Sequence, residues 1–242
     1  MQKYRKMYQL KSYECDTSFR LRLMSLFNFF QDVADGHAEE MGVGYTFCEY
    51  HKIGWVGANY HVQIERIPMW REQVVLSTWP SGTTAVSGIR DFQMTDETGA
   101  ELIKASSQWV VVDIEKKRPV PVKKHLPDYE VIDERAVETT FPKWAPVTRA
   151  DMTLQIPVLH DHIDFNKHVN NAYYSVWAMD SLPETFLQTH QLSQLEVAFK
   201  KPALLGDVVT VSTQINELET CHDLTKGDTI LASVRCRWKE IA

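Results

Sequence analysis

Leu23-Met24-Ser25-Leu26-Phe27-Asn28-Phe29-Phe30-Gln31-Asp32-Val33-Ala34-Asp35-Gly36-His37-Ala38-Glu39-Glu40-Met41 is the stretch that decides the fold. Leu23, Leu26, Phe27, Phe30, Val33, Ala34 and Met41 recur mostly at three- and four-residue steps, the spacing of one apolar stripe on a long α-helix. Gly42 and Gly44 stop it. Before it, residues 3–16 alternate apolar and polar and predict a strand ending at Glu14-Cys15-Asp16. After it, Tyr45 to Lys52 predicts a turn or two of helix, and from Ile53 the period changes to two. Tyr60, Val62 and Ile64 alternate with His61, Gln63 and Glu65, so one face is buried. Pro68 ends that strand, and Val74, Leu76 and Thr78 mark the next. Thr95 to Gly99 reads as a hairpin turn, and Ile103 to Val112 closes the half. A strand, a long helix and several antiparallel strands make an α+β unit.

The pattern occurs twice. A shift of 135 residues carries Val62 onto Val197, Ile64 onto Phe199, Arg66 onto Lys201, Leu76 onto Val211, Ser77 onto Ser212 and Thr78 onto Thr213. At the helices a shift of 148 carries Asp16 onto Asp164, Phe29 onto Trp177 and Asp32 onto Asp180. Loops absorb the difference. A repeat of this length is a duplicated domain. Between the copies, Pro119, Pro121, Pro127, Pro142 and Pro146 sit among charges, which reads as a linker running over the surface. The expected division is a first domain over 1–115, a linker over 116–150 and a second domain over 151–242.

Of the 242 residues 44% are hydrophobic and 24% charged, so the chain is globular. A net charge of −6 argues against a general nucleic-acid binder. Met1 to Lys6 is basic without a following apolar run, so no signal peptide is expected, nor any membrane span. The scattered Cys15, Cys48, Cys221 and Cys236 suit reduced thiols in a cytoplasm.

The second copy opens on Asp164-Phe165-Asn166-Lys167-His168-Val169-Asn170-Asn171-Ala172-Tyr173-Tyr174-Ser175-Val176-Trp177. Its first eight residues hold a carboxylate, three amides and an imidazole. Val169, Tyr173, Val176 and Trp177 then fall at helical spacing. Asn166 is read as the helix N-cap, with His168 in the first turn and unpaired backbone N–H groups nearby. A polar helix entry without chemistry fits the same spacing. At the shift of 148, Asn166 faces Ser18 and His168 faces Arg20, so any chemistry belongs to the second half. His160, Asp161, His162, Asp164 and His168 also invite a metal reading, with His160 and His162 on one face of a strand. No second cluster completes that site, and no metal is expected.

Asp164 to Tyr174, read as Asp-x-Asn-x-His-Val-Asn-Asn-x-x-Tyr and followed by Trp177, resembles the active-site motif of acyl-acyl carrier protein (acyl-ACP) thioesterases. Gly54-Trp55-Val56, Arg90-Asp91-Phe92 and Ser107-Gln108-Trp109-Val110 extend the likeness over most of the chain. The resemblance implies two tandem hotdog domains, each an antiparallel sheet wrapped around a long central helix. It implies hydrolysis of fatty acyl-ACP to free fatty acid and holo-ACP, in fatty acid biosynthesis. No cofactor is needed, because the substrate carries its own phosphopantetheine. Asp164, Asn166 and His168 would be catalytic. His168 would act as general base and then acid, Asp164 would orient it or the water or attack directly, and Asn166 would steady the oxyanion. Asn170 and Asn171 are candidate substrate contacts, or else hold the helix start. Phe27, Phe30, Met41 and Trp55 are candidates to line an acyl tunnel, or else plain core. Lys116, Lys117, Arg118, Lys123 and Lys124 form a basic cluster suited to an acidic carrier protein, or else a solvated linker. The family carries an acidic residue on the strand after the helix, and an ungapped count reaches Pro202 and Ala203 there. Glu196, the nearest upstream carboxylate, lies roughly 20 Å away along an extended strand. An acyl-CoA thioesterase and a non-catalytic acyl-binding protein are the rival readings, and a monomer or a homodimer would satisfy the fold.

Overall fold

The computed structural model describes residues 2–241. The chain forms two compact units, one up to Thr139 and one from Thr140. Residues 116–139, read above as linker, therefore group with the first unit.

The first unit runs β1 (Tyr4–Gln9), α1 (Leu23–Glu40), α2 (Tyr45–His51), β2 (Ile53–Ile64), β3 (Gln73–Thr83), β4 (Ser87–Asp96), β5 (Glu101–Asp113), β6 (Arg118–Pro119) and α3 (Val122–His125). Its sheet has the order β1-β3-β4-β5-β2, antiparallel throughout, with β6 added to β5. β1 stops at Gln9, short of the expected Asp16. Ser12–Glu14 is a 3₁₀ turn instead, because the Glu14 carboxylate accepts the Lys11 N–H at 2.6 Å and folds the chain back. α1 packs its apolar stripe on the sheet. Phe30, wholly buried, lies 4.6 Å from Phe92 between ring centroids, and Phe27 lies 5.1 Å from Tyr60. Each such side chain stabilises the unit by about 1.5–3 kcal/mol. Gly42, at φ 71°, ends the helix in the left-handed conformation the sequence called for.

The second unit runs β7 (Met152–Pro157), α4 (Asn171–Asp180), α5 (Glu184–Thr189), β8 (His190–Phe199), β9 (Val208–Asn216), β10 (Glu219–Lys226) and β11 (Thr229–Glu240). Its antiparallel sheet has the order β8-β11-β10-β9-β7, the same as the first unit's strand for strand. β7 is β1 displaced by 148 residues at both ends. α4 packs on β9, β10 and β11 but spans 10 residues where α1 spans 18. Its buried face is Ala172, Tyr174, Ser175, Trp177 and Ala178; of the stripe read at Val169, Tyr173, Val176 and Trp177, Val169 and Trp177 are buried and Tyr173 and Val176 are half-buried. Small residues (Ala172, Ser175 and Ala178) share this face with the two large rings of Tyr174 and Trp177. Beneath it the core is hydrogen-bonded. The wholly buried His222 lies 2.8 Å from Thr213 through Nδ1 and 2.8 Å from Thr220 through Nε2, and the Ser181 hydroxyl lies 2.6 Å from that of Thr213.

The sheet face away from the helix carries one buried aspartate in each unit. In the first, Asp91 takes the Arg135 guanidinium at 3.1 Å, and the Trp79 indole donates to the Glu134 carbonyl at 2.8 Å. In the second, Asp223 accepts the Val147 N–H at 2.7 Å, and Arg235 donates to the Ala145 carbonyl at 2.9 Å. The connecting chain is thereby fastened to each sheet.

Candidate active site

Asp164 to His168 is a closed turn. The Asp164 N–H donates to the His168 carbonyl at 2.8 Å and the Lys167 N–H to the Asp164 carbonyl at 3.0 Å. Asp164 Oδ1 accepts the backbone N–H groups of Asn166 at 2.8 Å and His168 at 3.3 Å. Lys167 occupies the left-handed region at φ 64° to complete it. Short polar side chains compete for backbone donors in this way, and here the competition wins over helix. The helix begins later, at Asn171, and its N-cap is Asn170, whose Oδ1 accepts the Ala172 N–H at 2.9 Å. Asn166 is therefore not the cap and His168 is not in the helix. The side chains of Asn166 and His168 are exposed, and Asp164 is half-buried.

Hydrogen bonds tie the turn to its neighbours. The Val169 N–H donates to the Ala203 carbonyl at 3.0 Å, and the Asn170 N–H to the His162 carbonyl at 2.9 Å. The first unit repeats the frame at Asp16. Ser18 and Arg20 donate to Asp16 Oδ1 at 2.8 and 2.9 Å, Phe19 has φ 61°, and Leu21 donates to the Pro68 carbonyl at 2.9 Å.

This geometry meets an independent finding in the sequence. The model of the acyl-ACP thioesterase N-terminal domain matches residues 1–129, and that of the C-terminal domain matches residues 147–240. The chain belongs to the acyl-ACP thioesterase family. It is 26% identical over 252 residues to oleoyl-acyl carrier protein thioesterase 2 of Arabidopsis thaliana, covering 93% of this chain and 67% of that protein. It is 29% identical over 220 residues to an acyl-[acyl-carrier-protein] hydrolase of Cuphea viscosissima, covering 82% and 52%. The chain thus spans between half and two thirds of the length of these curated relatives. A solved structure described as an oleoyl thioesterase from Lactobacillus plantarum superposes at TM-score 0.89 with 26% identity, covering 100% of this chain and 97% of that one. The 12:0-ACP thioesterase of Umbellularia californica shares the fold at TM-score 0.87 and 21% identity, covering 99% and 98%. The tandem hotdog fold expected from the motif is borne out.

Other residues singled out in this acyl-ACP thioesterase chain take up varied places. Asn171 is the first, half-buried residue of α4. Phe27 and Phe30 sit in the aromatic core of the first unit, and Met41 caps α1. Trp55 packs on the cluster of Val43, Cys48, Ile53 and Val111 and donates its indole N–H to the Val43 carbonyl at 2.9 Å. Lys116 pairs with Asp113 at 3.1 Å, Lys117 lies exposed on the β5–β6 turn and Arg118, also exposed, opens β6. Lys123 and Lys124 are exposed on α3. His160 and His162 form a 3₁₀ turn, not a strand. His162 Nδ1 accepts the Leu159 N–H at 3.1 Å, and its ring packs on Tyr173 and Trp177. Among the described residues no group of three His, Cys, Asp or Glu side chains is placed to hold a metal. Glu196 lies within β8, where Gln194 donates to it at 2.8 Å, and it faces a cavity with Trp144 and Arg235.

Pro202 and Ala203 lie beyond β8, in the loop before β9, and Ala203 is the residue that meets the turn. Its N–H donates to the Tyr174 hydroxyl at 2.8 Å. The motif includes Tyr174 as its aromatic position, but the residue-type reading gave it no role. Burial, with Asp207 and Asp164 adding repulsion, pushes its phenol up to about 12, so it stays protonated. The signal was available in the repeat: Tyr174 falls opposite Leu26, and Ala203 opposite Pro68.

Proposed function

We propose that this chain hydrolyses fatty acyl-ACP thioesters, releasing free fatty acid and holo-ACP. The carrying observation is a hydrogen-bonded turn in the second unit that presents the His168 imidazole and the Asn166 carboxamide to solvent, in a chain of the acyl-ACP thioesterase family. Water attacks the thioester carbonyl while His168 takes its proton. The tetrahedral oxyanion is steadied by the Asn166 carboxamide. The turn supports this choice, since the backbone N–H groups of Asn166 and His168 already serve Asp164 and that of Ala172 serves Asn170. Collapse expels the thiolate, which receives the proton from His168, so the carboxylic acid and the free thiol balance the water consumed. Asp164 Oδ1 serves the backbone, which leaves Oδ2 to orient the water or the imidazole. Asn170 and Asn171 hold the helix start beside the bound thioester.

Phe27 and Phe30 are packed in the core of the first unit and Met41 and Trp55 pack on the Val43 cluster, which favours a structural role for these four; the carrier docks on Lys116, Lys117, Arg118, Lys123 and Lys124. The four free cysteines suit a reducing cytoplasm, and the role in fatty acid biosynthesis rests on the family alone. The test is thiol release from one acyl chain carried on ACP and on CoA. Turnover on ACP with a clearly higher kcat/KM than on CoA supports the reading. Faster turnover on CoA makes the chain an acyl-CoA thioesterase, and binding without thiol release makes it an acyl-binding protein.

A further inference from the structure

We infer that Tyr174 is a positioning residue for the Asp164–His168 turn, holding through its hydroxyl the backbone segment to which the turn is tied. This rests on the function proposed above. The Ala203 peptide is gripped from both sides: Val169, next to His168, donates to its carbonyl at 3.0 Å, and its own N–H donates to Tyr174 at 2.8 Å. Ala203 is wholly buried, so its N–H has no water to turn to. Tyr174 is 2% exposed and is itself braced edge-on by Trp177 and Phe199.

The first unit is the control. Glu65 and Arg66 both donate to the Leu102 carbonyl, as Lys200 and Lys201 both donate to that of Leu231, so residues 65–68 and 200–203 are the same segment. Leu21 donates to Pro68 as Val169 donates to Ala203. Pro68 has no N–H, and Leu26, opposite Tyr174, has no hydroxyl. The half without Asn166 and His168 counterparts thus dispenses with both members of the clamp together. In the other half the turn, the loop after β8 and α4 are linked into one body, which keeps Asn166 and His168 at a constant offset.

Tyr174→Phe keeps the ring contacts and removes the clamp. It is expected to lower kcat about 10-fold, as a misplaced group does, with KM within about twofold. Amide exchange should show Val169 losing about 10-fold of its protection while Leu21, its counterpart, is unchanged. Tyr174→Phe combined with Ala203→Pro copies the first unit and removes the orphaned donor. It should recover the Tm lost by Tyr174→Phe but not the kcat. Recovery of kcat together with Tm would show that the hydroxyl only satisfied a buried donor, and would overturn the inference. So would an unchanged kcat, or unchanged Val169 exchange, in Tyr174→Phe. A wild-type chain without thiol release overturns the proposed function instead, and the exchange measurement still decides the clamp.

Discussion

The turns Asp16–Arg20 and Asp164–His168 share their backbone hydrogen bonds, their left-handed fourth residue and their aspartate, and differ in what they show to solvent. One presents Ser18, Phe19 and Arg20, with Phe19 stacked on Trp70. The other presents Asn166, Lys167 and His168. The comparison separates frame from chemistry. An aspartate is needed in both halves to gather two backbone N–H groups, so its presence in the motif is not by itself a sign of catalysis. The His168 imidazole and the Asn166 carboxamide are the additions. The cores differ too. At the same ladder position the first half has Phe92 among aromatic rings and the second has His222 among hydroxyls.

The hardest test of this division is His168→Ala beside Arg20→Ala. Loss of an acid–base group should lower kcat by about 10²- to 10⁴-fold, whereas the Arg20 variant should stay within about threefold. Equal effects in steady-state kinetics would erase the distinction between the halves. A finer test uses the shared aspartates. Asp164→Ala and Asp16→Ala should each cost about 0.5–2 kcal/mol in denaturant unfolding, as the loss of a side chain capping two backbone donors does. Asp164→Asn keeps an acceptor, so its stability should be near wild type while its kcat falls towards background. Combined with His168→Ala it should be little worse than either alone. A fully active Asp164→Asn enzyme would reduce Asp164 to frame, like Asp16.

The buried histidines sharpen the contrast in solution. Burial and the nearby Arg235 lower His222 to about 3, and burial and Arg90 lower His37 to about 4. An unfolded histidine titrates at about 6.5. The neutral forms thus favour folding fully above about pH 6.5, and that contribution is lost as pH falls towards 3 and 4. Asp35, Asp91 and Asp180, raised by burial, act in the opposite sense. His222→Gln and His37→Gln should each flatten part of the fall in Tm between pH 6.5 and 4. The smallest effect is expected at the basic cluster. Reversing Lys116, Lys117 and Lys123 to Glu should raise KM for acyl-ACP a few-fold and reduce its salt dependence, leaving a small acyl thioester untouched. Equal losses on both substrates would refer the cluster to folding.

Much of this was legible. The stripe from Leu23 to Ala34, the change to period two at Ile53 and the paired shifts of 135 and 148 residues predicted the doubled α+β frame. The residues of the candidate site were legible as well, because imidazole and amide stand out against Arg20 and Ser18. Their local geometry was not. Asp-x-Asn reads as a helix entry when the helix is sought first, yet the carboxylate captures the donors at Asn166 and His168 and delays the helix to Asn171. The buried face of α4 was hidden because Ala172, Ser175 and Ala178 carry little hydrophobic signal. The Tyr174–Ala203 bond joins residues 29 apart through a backbone group, so the repeat marks both positions but only the structure shows that they pair.

The fastening of the connecting chain has a consequence for gene architecture. Arg135 stays with Asp91 and Val147 stays with Asp223 when the backbone is severed between Thr139 and Thr140. Each buried aspartate keeps its ligand, because each ligand is encoded on the same side of the break. Fission of the coding sequence at that point would therefore strand neither carboxylate, and two half-genes would each specify a sheet with its own plug.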